Sequence, residues 1–153
     1  VGYDKSGVAR HAHKHGTFTG GKAFKGNEES SDPKYSFHWT GKSGRLYVFE
    51  AAKDLLSLLT PYQKEWEQHS YVALCGLSEQ GLFQMLEDVP YIRQVALCLD
   101  RDRAGLQAEE RIQKNLEGRG YREVFPLFPS GKDWNEDLQE LMAKGRRENL
   151  QMQ

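Results

Sequence analysis

Four times between Arg45 and Gly145, a short apolar run is followed by a stretch of helical spacing. The runs are RLYVFE, YVALCG, QVALCLD and REVFPLFP. After the first, AAKDLLSLLT sets Leu55, Leu56, Leu58 and Leu59 at helical spacing and stops at Pro61. After the second, SEQGLFQMLED begins with Ser78, a residue suited to an N-cap, and stops at Pro90. After the third comes AGLQAEERIQKNLEGRG, the clearest helix in the chain. It places Leu106, Ile112 and Leu116 near one face and ends at Gly118 and Gly120. WNEDLQELMAKG follows the fourth run. Such alternation predicts an α/β domain: a parallel sheet of about four strands with helices on both faces. The runs are continuously apolar, as strands buried on both faces must be. Pro126 places the fourth strand at an edge.

The first 44 residues have a different texture. GTFTGGKAFKG and SSDPKYSFHWTGKSG are short alternations broken by glycine, which predict small strands and turns and no long helix. We therefore expect a small β-rich region at 1–44, an α/β domain at 45–145 and a fraying tail at 146–153. A chain of 153 residues, 38% apolar, suits one domain with a small appendage. Its net charge of −1 gives no bulk electrostatic case for nucleic acid, so such binding needs a local basic patch. No apolar run reaches membrane-spanning length and no signal peptide is visible. Cys75 and Cys98 sit in apolar runs without a C-x-x-C pair. They read as reduced, buried residues of a cytoplasmic protein rather than zinc ligands. The start at Val1 rather than Met reads as a piece of a longer parent protein with further domains.

In open α/β sheets, chemistry gathers at the carboxyl ends of the strands. Glu50 ends the first strand, and Asp54 lies one helical turn later. Asp100 ends the third, in VALCLDRDRAG, with Asp102 two residues on. Asp133 follows the fourth, in SGKDWNED, near Asn135. Two carboxylates ~5 Å apart repel by roughly 3 kcal/mol at an effective dielectric near 20. Three or more need a cation or bound protons. An all-oxygen donor set favours Mg²⁺ or Mn²⁺ over zinc, with phosphate oxygens completing the shell. Any one of these residues alone reads better as a helix cap or a solvated side chain: Asp102 as a cap of the helix after it, Asp54 as a solvated helix residue. The joint placement of Glu50, Asp100 and Asp102 at successive strand ends favours a metal site.

These residues carry a resemblance. The segment from Leu46 to about Leu141 resembles a Toprim domain, a Rossmann-like catalytic module shared by topoisomerases, bacterial primases and some nucleases, and is most similar to the primase branch. Glu50 in LYVFEAAKDLLSL matches the family glutamate, and Asp54 the second acidic residue one turn on. Asp100, Asp102, Ala104 and Gly105 match the D-x-D motif and the small residues after it. Asp133 matches the acidic loop after the fourth strand, with Asn135 in place of a second carboxylate. GKDWNEDL also resembles toprim-like proteins of mobile elements and phages. Ala51 stands where primases commonly have glycine.

The resemblance implies Mg²⁺ (or Mn²⁺) held by Asp100, Asp102, Asp54 and Asp133, with Glu50 as the general acid–base or a further ligand. It implies phosphodiester chemistry on DNA, most readily single-stranded. Primase-like nucleotidyl transfer from nucleoside triphosphates, in DNA replication or mobile-element maintenance, is the first reading. A Toprim nuclease, or a non-catalytic nucleic-acid-binding module, is the alternative. A haloacid-dehalogenase-type phosphohydrolase fits poorly, because its D-x-D stands on the first strand. A receiver domain fits poorly too, because its acidic pair precedes the phosphorylated aspartate.

In the amino-terminal region Arg10, Lys14, Lys22, Lys25 and Lys34 alternate with Phe18, Phe24, Tyr35 and Trp39. This reads either as a nucleic-acid surface or as an ordinary solvated hairpin. Lys132 stands beside the acidic residues and reads as a phosphate contact or a loop lysine. HAHKH would place His11, His13 and His15 on one face of a single strand, in a surface role.

Overall fold

A computed structural model describes residues 1–16, 20, 24–61, 65–76, 78–131 and 133–151, with side chains through 143. Lys22, Lys132 and Phe18 therefore lie outside the described residues. Nine strands occur among them: β1 (Gly2–Tyr3), β2 (Ala9–His11), β3 (His13–His15), β4 (Lys25–Asn27), β5 (His38–Trp39), β6 (Arg45–Phe49), β7 (Ser70–Ala73), β8 (Gln94–Cys98) and β9 (Glu123–Pro126). The α-helices are α1 (Ala52–Leu59), α2 (Gln80–Asp88), α3 (Arg103–Gly118) and α4 (Trp134–Gln151).

The main sheet has the order β5-β7-β6-β8-β9. β7, β6, β8 and β9 run parallel, as the strand–helix alternation requires, and β9, with Pro126, is an edge. The other edge departs from the four-strand expectation. β5 adds antiparallel to β7, pairing His38 with Val72 and Trp39 with Tyr71. A two-residue strand carries no readable period, so the sequence pattern could not reveal it. Trp39 packs against Trp66, with ring centroids 5.1 Å apart. Among the described residues, the amino-terminal region also forms two small antiparallel ladders, β1–β2 and β3–β4.

The sheet's alternation sorts two cores. Leu46, Val48, Val72, Val95 and Leu97 meet Leu82, Met85 and Leu86 of α2 and Ala108, Ile112 and Leu116 of α3. On the opposite face Phe49, Tyr71, Ala73, Ala96 and Cys98 meet Leu55 of α1 and Trp134 of α4. Helices thus cover both faces. Trp134 is fixed by donating its indole N–H to the Cys98 carbonyl at 3.1 Å.

Several local expectations change. The inward stripe of α3 is Gly105, Ala108, Ile112 and Leu116, while Leu106 is 49% exposed. The helix is turned by a close approach: a Cβ on Gly105 would stand 2.0 Å from the Asp100 carbonyl oxygen. Only glycine lets the first turn of α3 seat there. Ser78 does not cap α2. Glu79 takes that position, without a capping bond, and its carboxylate accepts from Arg111 and Asn115 of α3. His11 and His13 fall in different ladders, His11 is buried, and the three histidines share no face. α4 continues through the expected tail to Gln151. Cys98 is buried and Cys75 half-buried, both as free thiols.

The turned helix makes a direct prediction. Ile112→Ala, at a fully buried position, costs about 3 kcal/mol in urea unfolding. Leu106→Ala changes stability by less than about 0.5 kcal/mol. Equal costs at the two positions would contradict the assignment of the inward face.

Candidate functional site

The parallel pairing of β6 and β8 sets Phe49 opposite Cys98. Glu50 follows the first of these strands and Asp100 stands two residues beyond the second, so neighbouring strands deliver both carboxylates to one edge. α1 leaves β6 over one face, and α3 leaves β8 over the other. The chain diverges between them, and that crevice is where open α/β sheets accept ligands.

Asp54 is 1% exposed, in the first turn of α1, and neither of its carboxylate oxygens accepts a hydrogen bond. Glu50 Oε2 and Asp100 Oδ1 are likewise buried without a partner. Buried acceptors are normally paired, so several at one sheet edge call for a positive or hydrogen-bearing ligand. Burial raises the Glu50 carboxyl above its usual range, helped by the charges of Asp100, Asp102 and Asp54. Burial, then Asp133 and Asp102, raise Asp100 against the pull of Lys53 and Lys25. Asp54 is pushed up to about 6, chiefly by burial, and Lys53 only partly offsets this.

Asp102 and Asp133 differ in kind. Asp102 is exposed and caps α3, its Oδ1 accepting the Gly105 amide at 2.8 Å. It is a cap that also adds charge near Glu50. Asp133 Oδ1 accepts the Glu136 amide at 2.8 Å at the start of α4, and its Oδ2 lies 3.4 Å from Lys53 Nζ. Partial burial works against the Asp133 charge, but the Glu136 amide and Lys53 hold its carboxyl below the ordinary value. Asn135 Oδ1 accepts from Ser57 Oγ at 3.4 Å, tying α4 to α1.

Lys53 is the residue that sequence reasoning missed. Its Nζ stands 3.5 Å from Asp54 and 3.4 Å from Asp133. In the sequence it looks like an ordinary first-turn lysine; the only signal is its place between Glu50 and Asp54. Among the described residues, no group of three or more His, Cys, Asp or Glu side chains is gathered closely enough to hold a metal ion. The site is therefore a set of unsatisfied oxygen donors around a lysine rather than a closed cage. These hard oxygen donors fit Mg²⁺ or Mn²⁺.

The basic residues of the amino-terminal region divide. Arg10 is paired with Asp4 at 2.7 Å and Lys14 with Glu28 at 2.8 Å. Lys34 is exposed and lies on the α2 side, lining a hollow with Tyr35, Gln84 and Asp88. Among the described residues of the region, Lys25, on β4, is the one whose charge reaches Glu50 and Asp100. It lines a cleft of about 220 Å³ with His13, His15, Phe37, Lys53 and Cys75. That cleft brings the β3–β4 ladder against the start of α1, beside the carboxylates.

Glu50, Asp54 and Asp100 all hold protons more tightly when folded than when unfolded. For Asp54 the window runs from the ordinary 3.8 to about 6. Through it the folded state binds more protons, so metal-free stability falls as pH rises, and the loss persists above it. Asp54→Asn removes roughly 2–3 kcal/mol of that loss at pH 8. Urea unfolding in a chelator should therefore show a shallower decline between pH 4 and 8 than wild type. Identical pH slopes would contradict the buried state of Asp54, whose oxygens lack a hydrogen-bond partner.

Comparison with known proteins places this geometry. Residues 47–138 match the family model described as Toprim-like, and residues 1–43 match one described as a protein of unknown function (DUF3991). A comparison with curated proteins found no match. Among solved structures, the chain is similar to the primase fragment of the bacteriophage T7 primase-helicase protein, with a TM-score of 0.62 and 17% identity. That alignment covers 93% of this chain and 59% of the phage fragment, so the chain spans less than two thirds of that fragment's length. The shared arrangement is that of a Toprim primase fold, and the family match takes in more than half of the residues, from Tyr47 on β6 to Leu138 on α4, Glu50, Asp100 and Asp133 included. The chain belongs to the Toprim-like family.

Proposed function

We propose that the protein carries out Mg²⁺-dependent phosphodiester chemistry on nucleic acid, and that the reaction is primase-like nucleotidyl transfer. The observation that carries this is the set of buried, unpartnered oxygens of Glu50, Asp54 and Asp100 at the sheet's switch point. The likeness to a phage primase fragment supports the reaction class.

Asp100 would hold the ion, with Glu50 and Asp54 beside it and Asp102 contributing charge from the rim. When bound, Mg²⁺ supplies charge for the phosphate oxygens and lowers the repulsion among the carboxylates. The chain's own residues do the rest. Glu50, its proton affinity raised by burial and its acidic neighbours, is suited to take the proton of an attacking 3′-hydroxyl at its carboxylate. Lys25 and Lys53 offer positive charge to phosphate from the cleft side. Arg10 and Lys14 would extend the track for a single strand, exchanging Asp4 and Glu28 for phosphate. Nucleoside triphosphates are the co-substrate. The setting is DNA replication or mobile-element maintenance in the cytoplasm. Among the described residues, no helix is long and apolar enough to cross a membrane.

Labelled single-stranded DNA, Mg²⁺ or Mn²⁺ and nucleoside triphosphates test the reading. Extension is expected, reduced about 100-fold or more in Glu50→Gln. Cleavage in place of extension would make the protein a Toprim nuclease. DNA binding without either reaction, weakened in Asp100→Ala, would make it a binding module. The divalent ion is also expected to raise the melting temperature at pH 8 and to lose that effect near pH 4, where protons compete for Glu50, Asp54 and Asp100. A melting temperature indifferent to Mn²⁺ at pH 8 would contradict the metal reading.

A further inference from the structure

We propose that Lys53 is a resident cation of the acidic site, filling with its ammonium group the place between Asp54 and Asp133 so that the chain takes up one divalent ion and not two. The inference rests on the metal reading above and adds to it the number of ions and what limits it.

Three observations converge. Lys53 Nζ lies 3.5 Å from Asp54 Oδ1 and 3.4 Å from Asp133 Oδ2, bridging a carboxylate of α1 to one at the start of α4. Asp54 is almost wholly buried, with neither oxygen accepting a hydrogen bond, so it has no other source of compensation. The next polar side chain on that flank, Asn135, is neutral and occupied with Ser57, so it supplies no further anionic donor.

Charge sets the limit. Glu50, Asp54, Asp100, Asp102 and Asp133 sum to −5 when ionised. Lys53 and Lys25 leave −3, and one divalent ion leaves −1. A second would make the pocket positive, and its most available oxygens are those that already face the ammonium group. An ammonium ion and a divalent cation cannot share that gap without strong repulsion. The gap beside Glu50 and Asp100 has no such occupant, and it is there that the single ion belongs.

Lys53 is therefore a positioning residue. It places a fixed positive charge against Asp54 and Asp133, and it confines the divalent ion to the β6–β8 side. It also ties α1 to α4, so it holds the shape of the cleft near Lys25.

The count of Mn²⁺ bound by the whole chain tests this, read from the free-ion signal in electron paramagnetic resonance at pH 8, without nucleic acid. Wild type is expected to bind one ion and Lys53→Arg, which keeps the charge, one. Lys53→Met is expected to bind two. If Lys53→Met does not fold, Lys53→Gln, which keeps a hydrogen-bond donor, is read in its place. Two ions on wild type, or one on both neutral variants, would overturn the proposal and leave the metal reading standing. No ion on wild type or on any variant would overturn both.

Discussion

Phe49 lies opposite Cys98 because β6 and β8 pair in parallel, and that register cannot slip. A shift of one residue would turn Phe49 and Cys98 into the α2–α3 core and Val48 and Leu97 toward α1 and α4. The two cores on either side of the sheet, each packed by its own helices, hold it in place. Holding the register also holds Glu50 and Asp100 on adjacent strand ends. The acidic pocket is a consequence of apolar packing several residues away. Within the pocket, Lys53 offsets only part of the charge.

That separation of roles explains the energetics. Leu46, Val48, Val95 and Leu97, all fully buried or nearly so, belong to the stabilising side. Glu50, Asp54 and Asp100 belong to the costly side, since each is buried enough to hold its proton above the ordinary range. Burial without partners is retained in folded proteins where it serves binding or chemistry. Lys53 moderates the cost at Asp54 and Asp133 but does not reach Glu50 Oε2 or Asp100 Oδ1 with a hydrogen bond.

Much of this was legible in the residues. Four apolar runs alternating with helical stretches dictate a parallel sheet, and acids at the ends of the first and third runs must fall at its carboxyl edge. Helix phase was harder. The Leu106, Ile112, Leu116 stripe looked sufficient, but Gly105 seats against the Asp100 backbone and rotates the first turn of α3, leaving Leu106 outside. Ser78 looked like a cap, but the chain enters α2 a residue later, at Glu79, whose carboxylate is taken by α3. β5 was hidden because two residues have no period and its partner β7 is more than thirty positions away. Lys53 was hidden because nothing local distinguishes a lysine that points into an acidic pocket from one that points into water. Only the arrival of α4, with Asp133 at its start, gives it a second partner.

The central claim is that Glu50, Asp54 and Asp100 form one pocket for a divalent ion. The most direct measurement is the anomalous scattering of crystals grown with Mn²⁺. A peak in the crevice beyond the carboxyl ends of β6 and β8, within ligating distance of Glu50 and Asp100, is the predicted result. A map with no peak there, or with manganese bound only to surface carboxylates elsewhere, would contradict it.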